Sequence, residues 1–142
     1  MKSRNSKKSV LFICKNNSGR SQMAEGLFRQ IYGDKFDVYS AGFDPKKLNP
    51  LTVEVMAEIG INVSENSSTN INDYQGQEFD YIITLCNIEN YIFALNGKNL
   101  IHNEFKDPAK CKNVNMSDIK VFRFIRDEIR EWIENSLSKE LI

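Results

Sequence analysis

With 142 residues, 19 basic and 19 acidic side chains, three cysteines and one histidine, the chain fits one compact domain with no net charge favouring nucleic acid or a membrane surface. Three irregularly spaced cysteines with no apolar leader fit a reducing, cytoplasmic setting better than a disulfide framework. A single histidine, His102, and the lack of any Cys-x-x-Cys pair leave no tetrahedral zinc site and no Ser-His-Asp or Cys-His relay, so neither a metal nor a cofactor is expected.

Residues 1–8 are read as a disordered basic tail and residues 9–142 as a single domain. The apolar run Val10–Ile13 has the length and composition of a central parallel strand covered on both faces. It stops at Cys14, passes through the polar loop Lys15-Asn-Asn-Ser-Gly19, and gives way at Ser21 to a helix whose apolar positions are Met23, Ala24, Leu27, Phe28 and Ile31. Gly33 stands at its C-terminal cap. Phe36–Ser40 predicts a second strand ending at Ala41-Gly42. Asn49-Pro50 supplies an N-cap and a first-turn proline for a helix that Gly60 ends.

The Asn- and Ser-rich stretch from Asn62 to Asn72 reads as loop, leading into one helical turn at Ile71–Tyr74. Phe79–Leu85 predicts a third strand with Cys86 at its carboxyl end. A weak helix is expected over Ile88–Leu95, closed by Asn96-Gly97. Asn99–Phe105 predicts the last strand, followed by the extended turn Lys106-Asp107-Pro108, and His102 reads as a strand-end residue. From Asp118 a helical face runs through Val121, Phe122, Ile125, Ile129, Trp132, Ile133 and Leu137, with Trp132 as a core residue.

Strands alternating with helices imply a parallel sheet with right-handed crossovers, and such sheets gather ligands outside the carboxyl ends of their strands. Cys14, Cys86 and Asp107 should therefore share one rim. A thiol becomes a useful nucleophile where positive potential stabilises the thiolate. The amides of Lys15, Asn16, Asn17, Ser18 and Gly19, the helix starting at Ser21, and the planar fork of Arg20 supply that potential around a tetrahedral oxyanion. Asn16 or Asn17 can take the positive φ that such a nest needs, and Ser21 can donate a hydrogen bond to the thiolate. Asp107 is the candidate general acid for the leaving oxygen, Cys86 the candidate resolving thiol, and Cys111 a possible member of a redox relay.

Cys14-Lys-Asn-Asn-Ser-Gly-Arg-Ser21, Met23-Ala-Glu-Gly26, Tyr39-Ser-Ala-Gly42, Thr84-Leu-Cys86 and Asp107-Pro-Ala109 together resemble the low-molecular-weight protein tyrosine phosphatase superfamily, and within it the thioredoxin-coupled arsenate reductases. The resemblance spans nearly everything after residue 8. It implies an α/β three-layer sandwich around a four-stranded parallel sheet, with Cys14 as nucleophile, Arg20 and the loop as the oxyanion site, and Asp107 as acid. In the reductases the nucleophile attacks arsenate, a second thiol matched here by Cys86 releases arsenite, and a third cysteine passes the disulfide to thioredoxin or another thiol reductant. The chain departs from this pattern at three places. Phe93 stands near the position of the third cysteine, Asn16 replaces a glycine, and Ala109 replaces the aromatic residue that follows Asp-Pro in the phosphatases.

The resemblance favours arsenate reduction. The alternative is a low-molecular-weight phosphatase working through a phosphocysteine, since both chemistries use one cradle. A third reading, a non-catalytic anion-binding domain, is opposed by the joint presence of Cys14, Arg20 and Asp107.

Overall fold

The computed structural model describes residues 7–87, 96–111 and 115–141. Four parallel strands, β1 (Lys8–Cys14), β2 (Phe36–Gly42), β3 (Glu78–Thr84) and β4 (Asn96–His102), form one sheet in the order β2-β1-β3-β4. β1 is central, with Val10 facing Val38 on one side and Tyr81 on the other. Its apolar run is continuous because both faces are covered: Val10 and Phe12 point into one core, Leu11 and Ile13 into another.

The first core is built by α1 (Arg20–Tyr32), α2 (Pro50–Ala57) and α3 (Asp118–Trp132), which bring Phe28, Met56, Phe122 and Ile129 onto the sheet. The second lies beneath the 3-10 turn Ile71–Tyr74, where Tyr39, Tyr74 and Phe79 meet edge to face at 5.5 to 5.8 Å between ring centres. This is the four-stranded α/β three-layer sandwich expected from the sequence.

Most element boundaries agree with the sequence within a residue or two. β1 starts at Lys8, and the Lys7 ammonium donates to the Gly33 carbonyl at 2.9 Å, so Lys7 and Lys8, read as the end of the tail, take part in the fold. Asn49 caps α2 by accepting from the Leu51 amide at 2.9 Å. α2 then ends at Ala57, three residues before Gly60, whose φ of +81° turns the chain.

The largest difference is β4, which starts at Asn96 rather than Asn99 and ends at His102 rather than Phe105. Asn96-Gly97-Lys98-Asn99 has turn composition, yet it pairs in register with Glu78–Tyr81. An edge strand tolerates polar residues, and Lys98 reaches Glu78 and Asp80 at 3.6 and 3.5 Å. The helix expected over Ile88–Leu95, and Phe93 with it, lies outside the described residues.

The long C-terminal helix has the predicted apolar face. It passes through a π-helical turn at Ile133–Leu137 into a short α4 (Ser138–Leu141). Trp132 is half-buried and stacks edge-on against Phe105 at 5.6 Å. Arg126, buried in the same helix, donates to the Val55 carbonyl and to Glu58, both at 2.8 Å, and ties α3 to α2.

Candidate active site

The loop between β1 and α1 is a bowl whose carbonyls are all engaged on the outside. Lys15 O accepts from the Asp44 amide at 2.8 Å, Asn16 O from Lys46 at 3.0 Å, Ser18 O from Asn49 at 3.1 Å, and Gly19 O from Met23 at 2.9 Å. Asn17 O accepts from the Ser68 hydroxyl at 2.9 Å, and Thr52 adds a second bond to Ser18 O at 2.8 Å. Among the described residues no amide from Lys15 to Gly19 donates to protein. Backbone groups that satisfy their acceptors outward and leave their donors free form an anion nest.

Asn17 makes this shape possible. It is fully buried with φ +50°, the only positive φ outside glycine among the described residues. Its Nδ2 donates to Ser21 Oγ at 2.6 Å and to Ser40 Oγ at 3.0 Å. Its Oδ1 accepts from the Thr69 amide at 2.9 Å and from Gln22 Nε2 at 3.2 Å. The sequence left Asn16 and Asn17 as alternatives for this role; Asn16 instead turns its side chain outward to the Asp44 carbonyl at 2.8 Å.

Because Asn17 donates to Ser21, the hydroxyl oxygen of Ser21 is an acceptor there and its one hydrogen is free to point at Cys14 Sγ, 2.9 Å away. Ser40, held by the second Asn17 hydrogen, donates in turn to Glu25, whose carboxylate meets Arg29 at 2.5 Å. Hydrogen bonds donated by the Asn17 amide thus run in two directions, through Ser40 to the Glu25–Arg29 ion pair and through Ser21 to the Cys14 sulfur. Gly42 closes the back of the bowl. A Cβ there would lie 2.7 Å from Lys15 O and 2.8 Å from Asn17 N, so only glycine lets β2 approach so closely.

Arg20, 8 % exposed, opens α1 and donates from Nη1 to the Phe105 carbonyl at 3.0 Å. Its Nη2 stands 3.7 Å from Asp107 Oδ2, while Asp107 Oδ1 accepts from the Ala109 amide at 3.0 Å. The carbonyl is available because the chain leaves β4 irregularly. Asn103 N bonds Thr84 O at 2.9 Å and Phe105 N bonds Leu85 O at 3.0 Å, so two steps on one strand match one step on the other and Glu104 is the extra residue.

Cys14 and Cys86, 2 % and 6 % exposed, pack together, and Phe43 packs against the pair. Burial pushes the Cys86 thiol up to about 11. The Arg20 guanidinium opposes that shift, and Cys14, Glu104 and Asp107 add to it. Cys111 is not in this cluster. It is half-buried and lines a separate, mostly apolar cavity of about 270 Å³ with Met116, Val121, Phe124 and Ile125. Outside the bowl, Lys15, Lys46, Lys47, Lys106 and Lys110 are exposed and form no ion pair among the described residues. Lys46 and Lys47 border a cleft of about 670 Å³.

The sequence placed Cys14, Cys86 and Asp107 on one rim, and the structure brings them together beside the loop Lys15 to Ser21. Sequence reasoning missed Gln22, Ser40, Phe43 and the Phe105 carbonyl. Ser40 lies within the motif Tyr39-Ser-Ala-Gly42 and could have been singled out. The others depend on contacts that no local spacing encodes.

The sequence profile of the family described as low molecular weight phosphotyrosine protein phosphatase matches residues 9–141. The chain belongs to this family. Within this phosphatase family, an arsenate reductase of Halalkalibacterium halodurans is 41 % identical over 130 residues, covering 90 % of this chain and 94 % of its own. A glutaredoxin arsenate reductase of Synechocystis is 31 % identical over 136 residues, covering 93 % and 98 %. The solved structure of an arsenate reductase in its oxidized state superimposes with a TM-score of 0.79 at 30 % identity, over 93 % of this chain and 98 % of that one. No helix among the described residues is long and apolar enough to cross a membrane.

Proposed function

We propose that this protein is an arsenate reductase in which Cys14 is the nucleophile and Cys86 the resolving thiol. The observation that carries the reading is the direct packing of Cys86 on Cys14 beneath one oxyanion bowl. A phosphatase needs only the first of these sulfurs.

Arsenate enters as a dianion. The loop amides and Arg20 hold its oxygens, and Cys14 Sγ attacks arsenic, forming an S–As bond while one oxygen leaves as water with a proton from Asp107. Cys86 passes its proton to the Asp107 carboxylate left by the first step and attacks Cys14 Sγ. The S–S bond forms, the S–As bond breaks, and its electron pair stays on arsenic, which falls from As(V) to As(III) as the two sulfurs are oxidised to a disulfide. A dithiol reductant, thioredoxin or a related protein, returns the pair to thiols by exchange. Cys111 would join that last step only if the disulfide migrates to it.

The test is a paired assay of wild type and Cys86→Ser, following arsenite release with a thiol reductant and hydrolysis of an aryl phosphate. Loss of arsenite release with hydrolysis retained supports the reading. Arsenite release at the wild-type rate removes Cys86 from the mechanism. Peptide mass spectrometry after one turnover identifies which cysteines share the disulfide and so decides the place of Cys111.

A further inference from the structure

Phe43 is an aromatic side chain that the proposed chemistry does not use, yet it packs against the cluster formed by Cys14 and Cys86. Its place is fixed from either side. The Gly42 amide donates to Thr69 O at 2.9 Å and the Asp44 amide to Lys15 O at 2.8 Å, so the backbone flanking Phe43 is pinned to the loop before β3 and to the oxyanion loop. The ring also rests on the second core, formed by Leu11, Ile13, Ala41 and their neighbours. It is thus an apolar plate between the second core and the two cysteines, which are only 2 % and 6 % exposed. Aromatic contact with sulfur is favourable, and an apolar side chain packed on the pair limits the approach of water.

We propose that Phe43 is a positioning residue that seals the Cys14–Cys86 pair from water and so keeps the resting enzyme from closing its disulfide before an oxyanion has been attacked. A thiol reacts through its thiolate, and at Cys86 burial disfavours that form more than the nearby guanidinium favours it. The charged and titratable groups that bear on Cys86 are Arg20 at the start of α1, Cys14 at the end of β1, and Glu104 and Asp107 after β4. Among these groups Arg20 alone favours the thiolate, and its guanidinium is also engaged by Phe105 O. The plate therefore sets the balance. Without it, an oxidant such as hydrogen peroxide can take two electrons and two protons from the pair, giving one S–S bond and two waters with no arsenate consumed.

The experiment is pH-dependent labelling of Cys86 with chloroacetamide in the full chain, with inorganic phosphate filling the loop and peptide mass spectrometry separating the three cysteines. In Phe43→Ala the labelling midpoint should fall from about 11 by a pH unit or more, raising the rate at pH 8 about tenfold. Peroxide should also close the Cys14–Cys86 disulfide faster in this variant. Phe43→Leu, apolar and bulky, should keep the wild-type midpoint, and Phe43→Val should fall between. A side chain that only packs would lower the unfolding temperature and leave the midpoint unchanged, and that result overturns the proposal. If Phe43→Ala does not fold, the graded Phe43→Val measurement decides in the same way.

The inference rests on Cys86 being the resolving thiol, but the labelling needs no arsenate, so the two can fail separately. Retained arsenite release by Cys86→Ser refutes the functional reading. An unmoved labelling midpoint in Phe43→Ala refutes the sealing role alone.

Discussion

Replacing Asn17 tests whether one side chain shapes the oxyanion bowl. Asn17→Ala removes four buried hydrogen bonds, to Ser21, Ser40, Gln22 and the Thr69 amide. At about 1 kcal/mol net for each, these amount to about 4 kcal/mol, and more if the stranded partners find no water. The backbone adds a second contribution, because holding alanine at φ +50° costs roughly 1–2 kcal/mol. Asn17→Gly loses the same hydrogen bonds but is at ease at that φ, although its unfolded chain gains about 0.4–1 kcal/mol of entropy. The expected order is wild type, then glycine, then alanine, with the two variants separated by about 1 kcal/mol. Urea unfolding followed by tryptophan fluorescence and far-ultraviolet circular dichroism measures both differences, with phosphate binding read in parallel. If Asn17→Ala unfolds within 1 kcal/mol of wild type and still binds phosphate normally, the bowl is not held by this side chain.

Gly42→Ala should destabilise by about 1–3 kcal/mol and abolish phosphate binding, since the new Cβ meets backbone atoms of the loop at 2.7 to 2.9 Å; phosphate-induced shifts in melting temperature would show it. Burial of Cys86 gives stability a high-pH dependence. Its thiol stays neutral in the fold up to about 11 but ionises from about 9 when unfolded, so this stability is fully present below pH 9 and is lost between pH 9 and 11. The loss is about 2–3 kcal/mol, visible as a steeper fall of the urea midpoint from pH 8 to 10.5 in wild type than in Cys86→Ala. Reversing charge at Lys46 and Lys47 should lower kcat/KM for the oxyanion about tenfold at low ionic strength and leave kcat unchanged. Salt at a few tenths molar should erase the difference, and equal effects at all ionic strengths would argue against steering.

The strand–loop–helix unit around Cys14 was legible because it changes period abruptly: Val10 to Ile13 is continuous, while Met23 to Ile31 is helical. The parallel topology followed, and with it the shared rim that joins Cys14, Cys86 and Asp107 across long stretches of chain. β4 was misplaced because Asn96-Gly97 carries turn residues, and only pairing with Glu78 and Phe79 shows that an edge strand accepts them. Gln22 reads as an ordinary early helix residue. In the fold it is 1 % exposed and joins the oxyanion loop to Asn66. Phe43 reads as a stray aromatic after a glycine, because its meaning lies in two sulfurs that lie 29 and 43 positions away in the chain.

Phe105 touches the candidate site with its backbone and the C-terminal helix with its ring. Its carbonyl grips the Arg20 guanidinium, and its ring leans on Trp132 in the C-terminal helix. The Arg20 guanidinium is thus tied through one residue to the C-terminal helix, with the ring placed as the short arm of a lever. Substitutions at Trp132, which reaches Arg20 only through Phe105, are therefore expected to shift phosphate affinity while every residue of the loop stays as it is.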